Sequence, residues 1–160
     1  MKETLFSIKI TDYSNKTELE KIDLTLVNEA SNVCDNAYAP YSKFKVGAAV
    51  LLKNGKIITG TNQENAAYPS GLCAERTALF YANSKYPDIP VVAIAVLAKN
   101  NGIYTEQPVG PCGSCRQVIL ETETRFKTPI KIIMVGSKKI SVIENAKSLL
   151  PLSFSEEDLL

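Results

Sequence analysis

The chain has 160 residues, 45% hydrophobic and 22% charged, and its 18 Lys+Arg against 17 Asp+Glu leave a net charge of +1. One domain of this size buries enough surface to need no disulfide staples, and balanced charge argues against a duplex- or membrane-binding surface, which carries a basic excess. No apolar run approaches the roughly 18 residues of a membrane span, and the first residues lack a sustained apolar signal segment, so a cytoplasmic protein is expected, in which paired cysteines bind metal or do chemistry.

Residues 1–15 read as an extension of unassigned role ahead of a single domain over 16–160. In the extension, Leu5, Phe6, Ile8 and Ile10 suggest a short strand ended by Asp12-Tyr13-Ser14-Asn15. From Lys16 a helical period places Leu19, Ile22, Leu26, Ala30, Val33 and Ala37 on one face. Asn15 or Thr17 caps that helix, and Pro40 stops it. Phe44 to Leu52 and Lys56 to Thr61 are β-rich, and Asn54-Gly55 between them signals a hairpin. A loop from Asn62 to Leu72 leads to a second helix over Cys73 to Ser84. Val91 to Leu97 is a continuous apolar run, as expected of a strand buried on both faces. A polar loop from Lys99 to Gly110 precedes a third helix, Cys112 to Thr124, with Pro111 at its start. Ile130 to Val135 and Ile140 to Val142 read as strands, and Glu144 to Leu150 as a last short helix. Helices alternating with strands point to an α/β fold, its sheet partly parallel and covered on both faces.

Chemistry concentrates in two short segments, Cys73-Ala74-Glu75-Arg76 and Pro111-Cys112-Gly113-Ser114-Cys115-Arg116. Cys112 and Cys115 lie three apart in the first turn of a helix, so their sulfurs share a face, and Cys73 begins another helix. Helix N-termini favour thiolate over thiol. The two helix starts must therefore sit side by side, as they do above adjacent parallel strands of an α/β sheet. Three thiolates with a carboxylate, Glu75, that is not a ligand match a catalytic zinc site with an open fourth position. The chain has no histidine, so thiolates must carry any such metal. Cys34 lies on the apolar face of the first helix and reads as packing. The competing arrangement is a closed structural site that recruits Cys34 as a fourth thiolate. Zinc with three thiolates carries a net charge of −1, and either Arg76 or Arg116 stands close enough in sequence to withdraw density from the sulfurs.

These two segments resemble the signature of the zinc-dependent cytidine deaminases, in which a glutamate stands beside zinc held by cysteines. Tyr38-Ala-Pro-Tyr-Ser-Lys-Phe44-Lys-Val-Gly-Ala48, Asn62-Gln-Glu64-Asn65-Ala-Ala-Tyr68 and Leu149-Leu-Pro-Leu-Ser-Phe154 are similar to further blocks of that family, in the same order. Cys73 in a position that other branches fill with histidine places the chain beside the small homotetrameric, all-cysteine branch. The resemblance implies a three-layer α/β/α sandwich with a mixed five-stranded sheet and one Zn2+ per subunit on Cys73, Cys112 and Cys115. The implied reaction is hydrolysis of cytidine and 2′-deoxycytidine to uridine and 2′-deoxyuridine, releasing ammonia in pyrimidine salvage. A water at the zinc would be the nucleophile and Glu75 the proton shuttle. Phe44 would stack on the pyrimidine, Asn62 and Glu64 would bind the ribose, and the Ala74 N–H would hold the base. Ala66, Tyr68 and Phe154 would reach a neighbouring subunit's site, so the tetramer would share its active sites. No nucleic-acid or membrane partner is implied. A relative acting on another cytosine-like nucleoside stays open as an alternative, whereas the near-neutral charge speaks against a polynucleotide-editing enzyme.

Overall fold

A computed structural model describes residues 1–159. Its seven strands are β1 (Thr11–Tyr13), β2 (Phe44–Leu52), β3 (Ile57–Thr61), β4 (Val91–Asn100), β5 (Ile103–Tyr104), β6 (Lys131–Val135) and β7 (Ile140–Ile143). They form one sheet in the order β1-β7-β6-β4-β2-β3, with β5 pairing off β4. Among the described strands, only β4 and β6 pair in parallel. The helices are α1 (Lys21–Val33), α2 (Ala74–Lys85) and α3 (Gly113–Phe126).

Successive side chains of a strand point to opposite faces, and the sequence fills both faces with apolar residues. Ala48, Val50, Ile94, Val96, Ile132 and Met134 pack under α2 and α3. Ala49, Leu51, Ala93, Ala95, Leu97 and Ile133 pack under α1. The expected three-layer α/β/α sandwich is thus present. The five strands expected of the sheet are β2, β3, β4, β6 and β7, and two short strands extend it.

The first addition, β5, lies inside the polar stretch read as a loop. Asn101 and Gly102 have φ of 49° and 82°, and two central residues at positive φ match the twist of the strands they join. The second, β1, pairs with β7 at the sheet edge. The strand expected over Leu5 to Ile10 does not form: residues 1–10 carry no regular structure, and Leu5 is 93% exposed. Pairing falls one step later because Asp12 is anchored there, accepting from Ser141 Oγ at 2.6 Å and Lys139 Nζ at 3.1 Å.

The first helical segment also departs from its pattern. Asn15 does cap, with Glu18 completing a capping box, but what it caps is a single 3₁₀ turn over Lys16–Glu18. The chain becomes extended at Leu19, and α1 begins at Lys21. Its buried face carries Asp23, Leu26, Val27 and Ala30, while Ile22 is 43% exposed. Burying Asp23 is tolerated because Lys131 on β6 pairs with it at 2.8 Å. The last expected helix is reduced to a 3₁₀ turn over Ala146–Leu149, capped by Asn145.

The site is positioned at one end of the sheet. Phe44 opposes Asn100, and Gly47 opposes Thr61, so the start of β2 lies beside the ends of β3 and β4. The chain leaves β3 for α2 and β4 for α3 at this end. The helix starts are side by side, but not above adjacent parallel strands: β3 and β4 run the same way with antiparallel β2 between them. Close packing of α2 on β3 rests on Gly60, where a Cβ would stand 2.5 Å from Ala78 N and 2.7 Å from Ala74 O.

Candidate metal centre and cavity

Cys73 is the residue before α2 and Cys112 the residue before α3, both with extended backbone. Cys115 lies one turn into α3 and is fully buried. Their sulfurs all fall within 4.8 Å of one another. Cys73 Sγ is 3.9 Å from Cys112 Sγ, which is 3.6 Å from Cys115 Sγ. Three thiolates at about 2.3 Å around a tetrahedral ion would stand about 3.8 Å apart, so the donor set fits zinc with one position left over. Cys34 packs with α1 on the opposite face of the sheet. It belongs to no metal-ligand group among the described residues, and that removes the closed four-thiolate arrangement.

The sulfurs hold protons unequally when no cation replaces them. A hydrogen bond from Cys115, and then one from the Arg76 guanidinium, brings the Cys73 thiol down to about 5. The same bond to Cys73, followed by burial, pushes the Cys115 thiol up, so the pair holds one proton between them. Arg76 Nη2 donates to Cys73 Sγ at 3.6 Å. Arg116 is engaged elsewhere: it donates to the carbonyls of Pro111 at 2.9 Å and Leu149 at 3.1 Å. Of the two arginines offered by spacing, Arg76 is the one on a sulfur.

Glu75 is only 5% exposed. Burial pushes its carboxyl up from the ordinary range, and the nearby Cys73 thiolate adds to the effect. A buried acid with raised proton affinity beside sulfurs at metal-ligand spacing is chemically able to take up and release a proton.

A cavity of about 540 Å³ opens next to Cys73 and Arg76, with Asn62, Glu64, Tyr41, Ser42 and Tyr68 among its lining residues. That volume suits a small organic ligand. Asn62 Oδ1 accepts from Val46 N at 2.7 Å and its Nδ2 donates to Phe44 O at 2.9 Å, pinning the cavity wall to β2. Glu64 accepts from the backbone N–H groups of Tyr41 at 2.9 Å and Ser42 at 3.3 Å, and from the Ser42 hydroxyl. Ala74 is buried at the first position of α2, where backbone N–H groups lack helical partners. Phe44 is half-buried at the start of β2 and does not line the cavity itself. Tyr68 lines the cavity of its own chain, 6.2 Å from Tyr41 in an edge-on pair. Ala66 and Phe154 are exposed, and the Phe154 carbonyl accepts from Gln117 Nε2 at 2.8 Å.

Six lining residues, Tyr41, Ser42, Gln63, Asn65, Gly71 and Leu72, were not among the site residues expected from the sequence, and of these Tyr41 and Ser42 hold Glu64 through their backbone amides. The signal for these two was their place in the Tyr38 to Ala48 block, directly before Phe44.

An α/β/α domain with a three-sulfur cluster at zinc-ligand spacing, one of whose sulfurs lines a small-molecule cavity, and with a buried carboxyl beside it, fits the class of zinc-dependent hydrolytic enzymes. Comparison with known proteins narrows the class. A family model described as "Cytidine and deoxycytidylate deaminase zinc-binding region" matches residues 20–128. The chain is 45% identical to the cytidine deaminase of Halalkalibacterium halodurans over 135 residues, 84% of this chain and 95% of that one. It is 36% identical to a probable cytidine deaminase of Dictyostelium discoideum over 147 residues, covering 91% of this chain and 90% of that one. The crystal structure of cytidine deaminase from Burkholderia pseudomallei superposes with a TM-score of 0.71 at 40% identity, over 81% of this chain and 97% of the other. This chain belongs to the cytidine and deoxycytidylate deaminase family.

Proposed function

We propose that the chain catalyses hydrolytic deamination of cytidine and 2′-deoxycytidine to uridine and 2′-deoxyuridine, releasing ammonia, as a cytoplasmic enzyme of pyrimidine salvage. The observation that carries this reading is the buried Glu75 carboxyl beside three sulfurs at zinc-ligand spacing, next to a cavity of nucleoside scale. Among the described residues no helix is long and apolar enough to cross a membrane.

Cys73, Cys112 and Cys115 would hold zinc as thiolates, and zinc there supplies the Lewis acidity that makes water nucleophilic near neutral pH. The rest falls to the chain's own groups. Adding water at C4 of a cytosine ring places negative charge on the ring, so N3 must gain a proton as the bond forms. Glu75, with its raised proton affinity, takes a proton from the attacking water and passes it to N3, then takes the remaining proton of the new C4 hydroxyl and delivers it to the amine, which leaves as ammonia as the C4 carbonyl forms. Arg76 draws density from the Cys73 sulfur and offsets the net negative charge of a three-thiolate centre. The Ala74 N–H holds the base, and Phe44 stacks on it. Asn62 and Glu64 bind the sugar through the hydrogen-bonding capacity that their wall contacts leave free. Ala66, Tyr68 and Phe154 approach the site of a second copy in a homotetramer with shared active sites. The exposure of Phe154, at 60%, supports its availability for that contact.

Ammonia release from cytidine, 2′-deoxycytidine, cytosine and single-stranded DNA, with and without chelator, tests the reading. Both nucleosides should turn over, chelator should abolish turnover, added zinc should restore it, and single-stranded DNA should release nothing. Absence of release from either nucleoside by the zinc-loaded protein overturns the proposal.

A further inference from the structure

The turn from Ala39 to Phe44 folds around one carboxylate. Lys43 takes a left-handed backbone with φ of 58°, and its N–H returns to the Ala39 carbonyl at 3.2 Å. A non-glycine residue in that region carries strain. The reversal lets the Tyr41 and Ser42 amides face Glu64 while Phe44 starts β2. Ser42 is the one side chain that reaches both ways. Its hydroxyl donates to Glu64 Oε1 and accepts the Phe44 N–H at 3.0 Å. The other backbone group of Phe44, its carbonyl, is held by Asn62 Nδ2. Glu64 and Phe44 are thus joined through a single oxygen, and Asn62 closes the loop from the far side.

We infer that Ser42 is a positioning residue for substrate: its hydroxyl locks the Glu64 carboxylate, which lines the cavity on the sugar side, to the backbone of Phe44 at the start of β2, so that the sugar-binding wall is held rigid against the strand that begins at Phe44. The inference rests on the nucleoside deaminase reading and deepens it. The Ser42 hydroxyl first, then the Tyr41 and Ser42 amides and the Lys43 charge, hold the Glu64 carboxyl below its usual range, and as a carboxylate it accepts from sugar hydroxyls. Ser42 makes no contact with the metal-ligand sulfurs, so its loss should act on binding geometry and spare the proton chemistry at Glu75.

The test uses the zinc-loaded protein and the variants Ser42→Ala and Ser42→Thr, with steady-state kinetics on cytidine and on cytosine and a zinc assay of each preparation. Ser42→Ala should raise KM for cytidine about tenfold, the scale of one hydrogen bond to a charged group. Its kcat should change by less than about threefold, with full zinc content and little change on cytosine. Ser42→Thr keeps the hydroxyl and should restore KM. Unchanged KM in a zinc-replete Ser42→Ala overturns the inference. So does an equal loss of kcat and zinc content that Ser42→Thr fails to rescue, which would mark a purely structural role. A wild type inactive on every nucleoside overturns the functional reading and this inference together. An active wild type with an indifferent Ser42→Ala overturns the inference alone.

Discussion

Glu75 owes its chemistry to its place. In the first turn of a surface helix a glutamate would be an ordinary solvated acid favoured by the helix dipole. Here α2 starts against β3, close enough that only glycine fits at position 60, and the carboxyl is buried beside Cys73 and Cys115. Glu75→Gln keeps the shape and the zinc ligands but cannot carry a proton. It should retain one zinc per chain and the wild-type melting temperature while losing at least about 100-fold in kcat on cytidine; near-normal turnover would remove the proton-shuttle role. Cys34 is the contrasting case. It is fully buried, its thiol is pushed up by burial, and its sulfur donates to the Lys45 carbonyl at 3.6 Å. Cys34→Ala should cost about 1 kcal/mol of stability and leave zinc stoichiometry and activity unchanged, as read by chemical denaturation and metal analysis.

Among the elements, β1 adds a strand to the sheet ahead of residue 20, where the matched family model begins. Without β1, strand β7 would be an open edge with unpaired backbone groups, which invites association. Removing residues 1–15 should therefore leave specific activity within about twofold, because the site lies at the far side of β4, but should raise the aggregation rate on heating. Lower aggregation in the truncated protein would refute the edge-covering role. The Asp12 anchor adds a pH dependence. Its bond from Ser141, then that from Lys139, lowers the carboxyl below the usual range. The contribution is thus present above the unfolded value of about 3.9 and lost as pH falls through the lower folded value. Amide exchange at Thr11 to Tyr13 should accelerate over that acid window, and Asp12→Asn should abolish the pH effect. The hairpin strand β5 was legible in principle: Asn101-Gly102 followed by Ile103-Tyr104 is the same turn signal that marked β2 and β3. The polar residues around it masked that signal. At Asn54-Gly55, by contrast, only Gly55 takes positive φ, at 83°.

At the scale of the molecule, several large apolar side chains remain uncovered. Phe80 and Tyr81 on α2, Tyr68 beside the cavity and Phe154 near the C-terminus are all exposed. Within residues 151–159, the Phe154 carbonyl makes the described hydrogen bond to the rest of the domain, through Gln117 on the metal helix. A homotetramer would cover these groups. Sedimentation velocity should show four copies at micromolar concentration, and Phe154→Ala should lower kcat/KM by about tenfold or more with zinc retained. A fully active monomer would remove the shared site.

Sequence alone determined the layer order and singled out the three cysteines, and Glu75 beside them, that the fold brings together. Cysteine spacing at helix starts and apolar runs of strand length are local patterns, and local patterns survive in one dimension. It read Cys34 as packing beside the apolar face of the first helix, but the closed four-thiolate alternative fell only when the fold put Cys34 on the opposite face of the sheet. Only the tertiary structure decided that Arg76 and not Arg116 meets a sulfur, because both stand near a ligand in sequence and the choice depends on where Leu149 and Pro111 offer carbonyls. It likewise decided that α1 buries Asp23, an acid no hydropathy pattern would place inside, because its partner Lys131 lies 108 residues away. Ser42 emerged only when the turn before β2 was seen to close on Glu64. Contacts between residues distant in the chain arise from chain reversal and packing, which a linear pattern does not record.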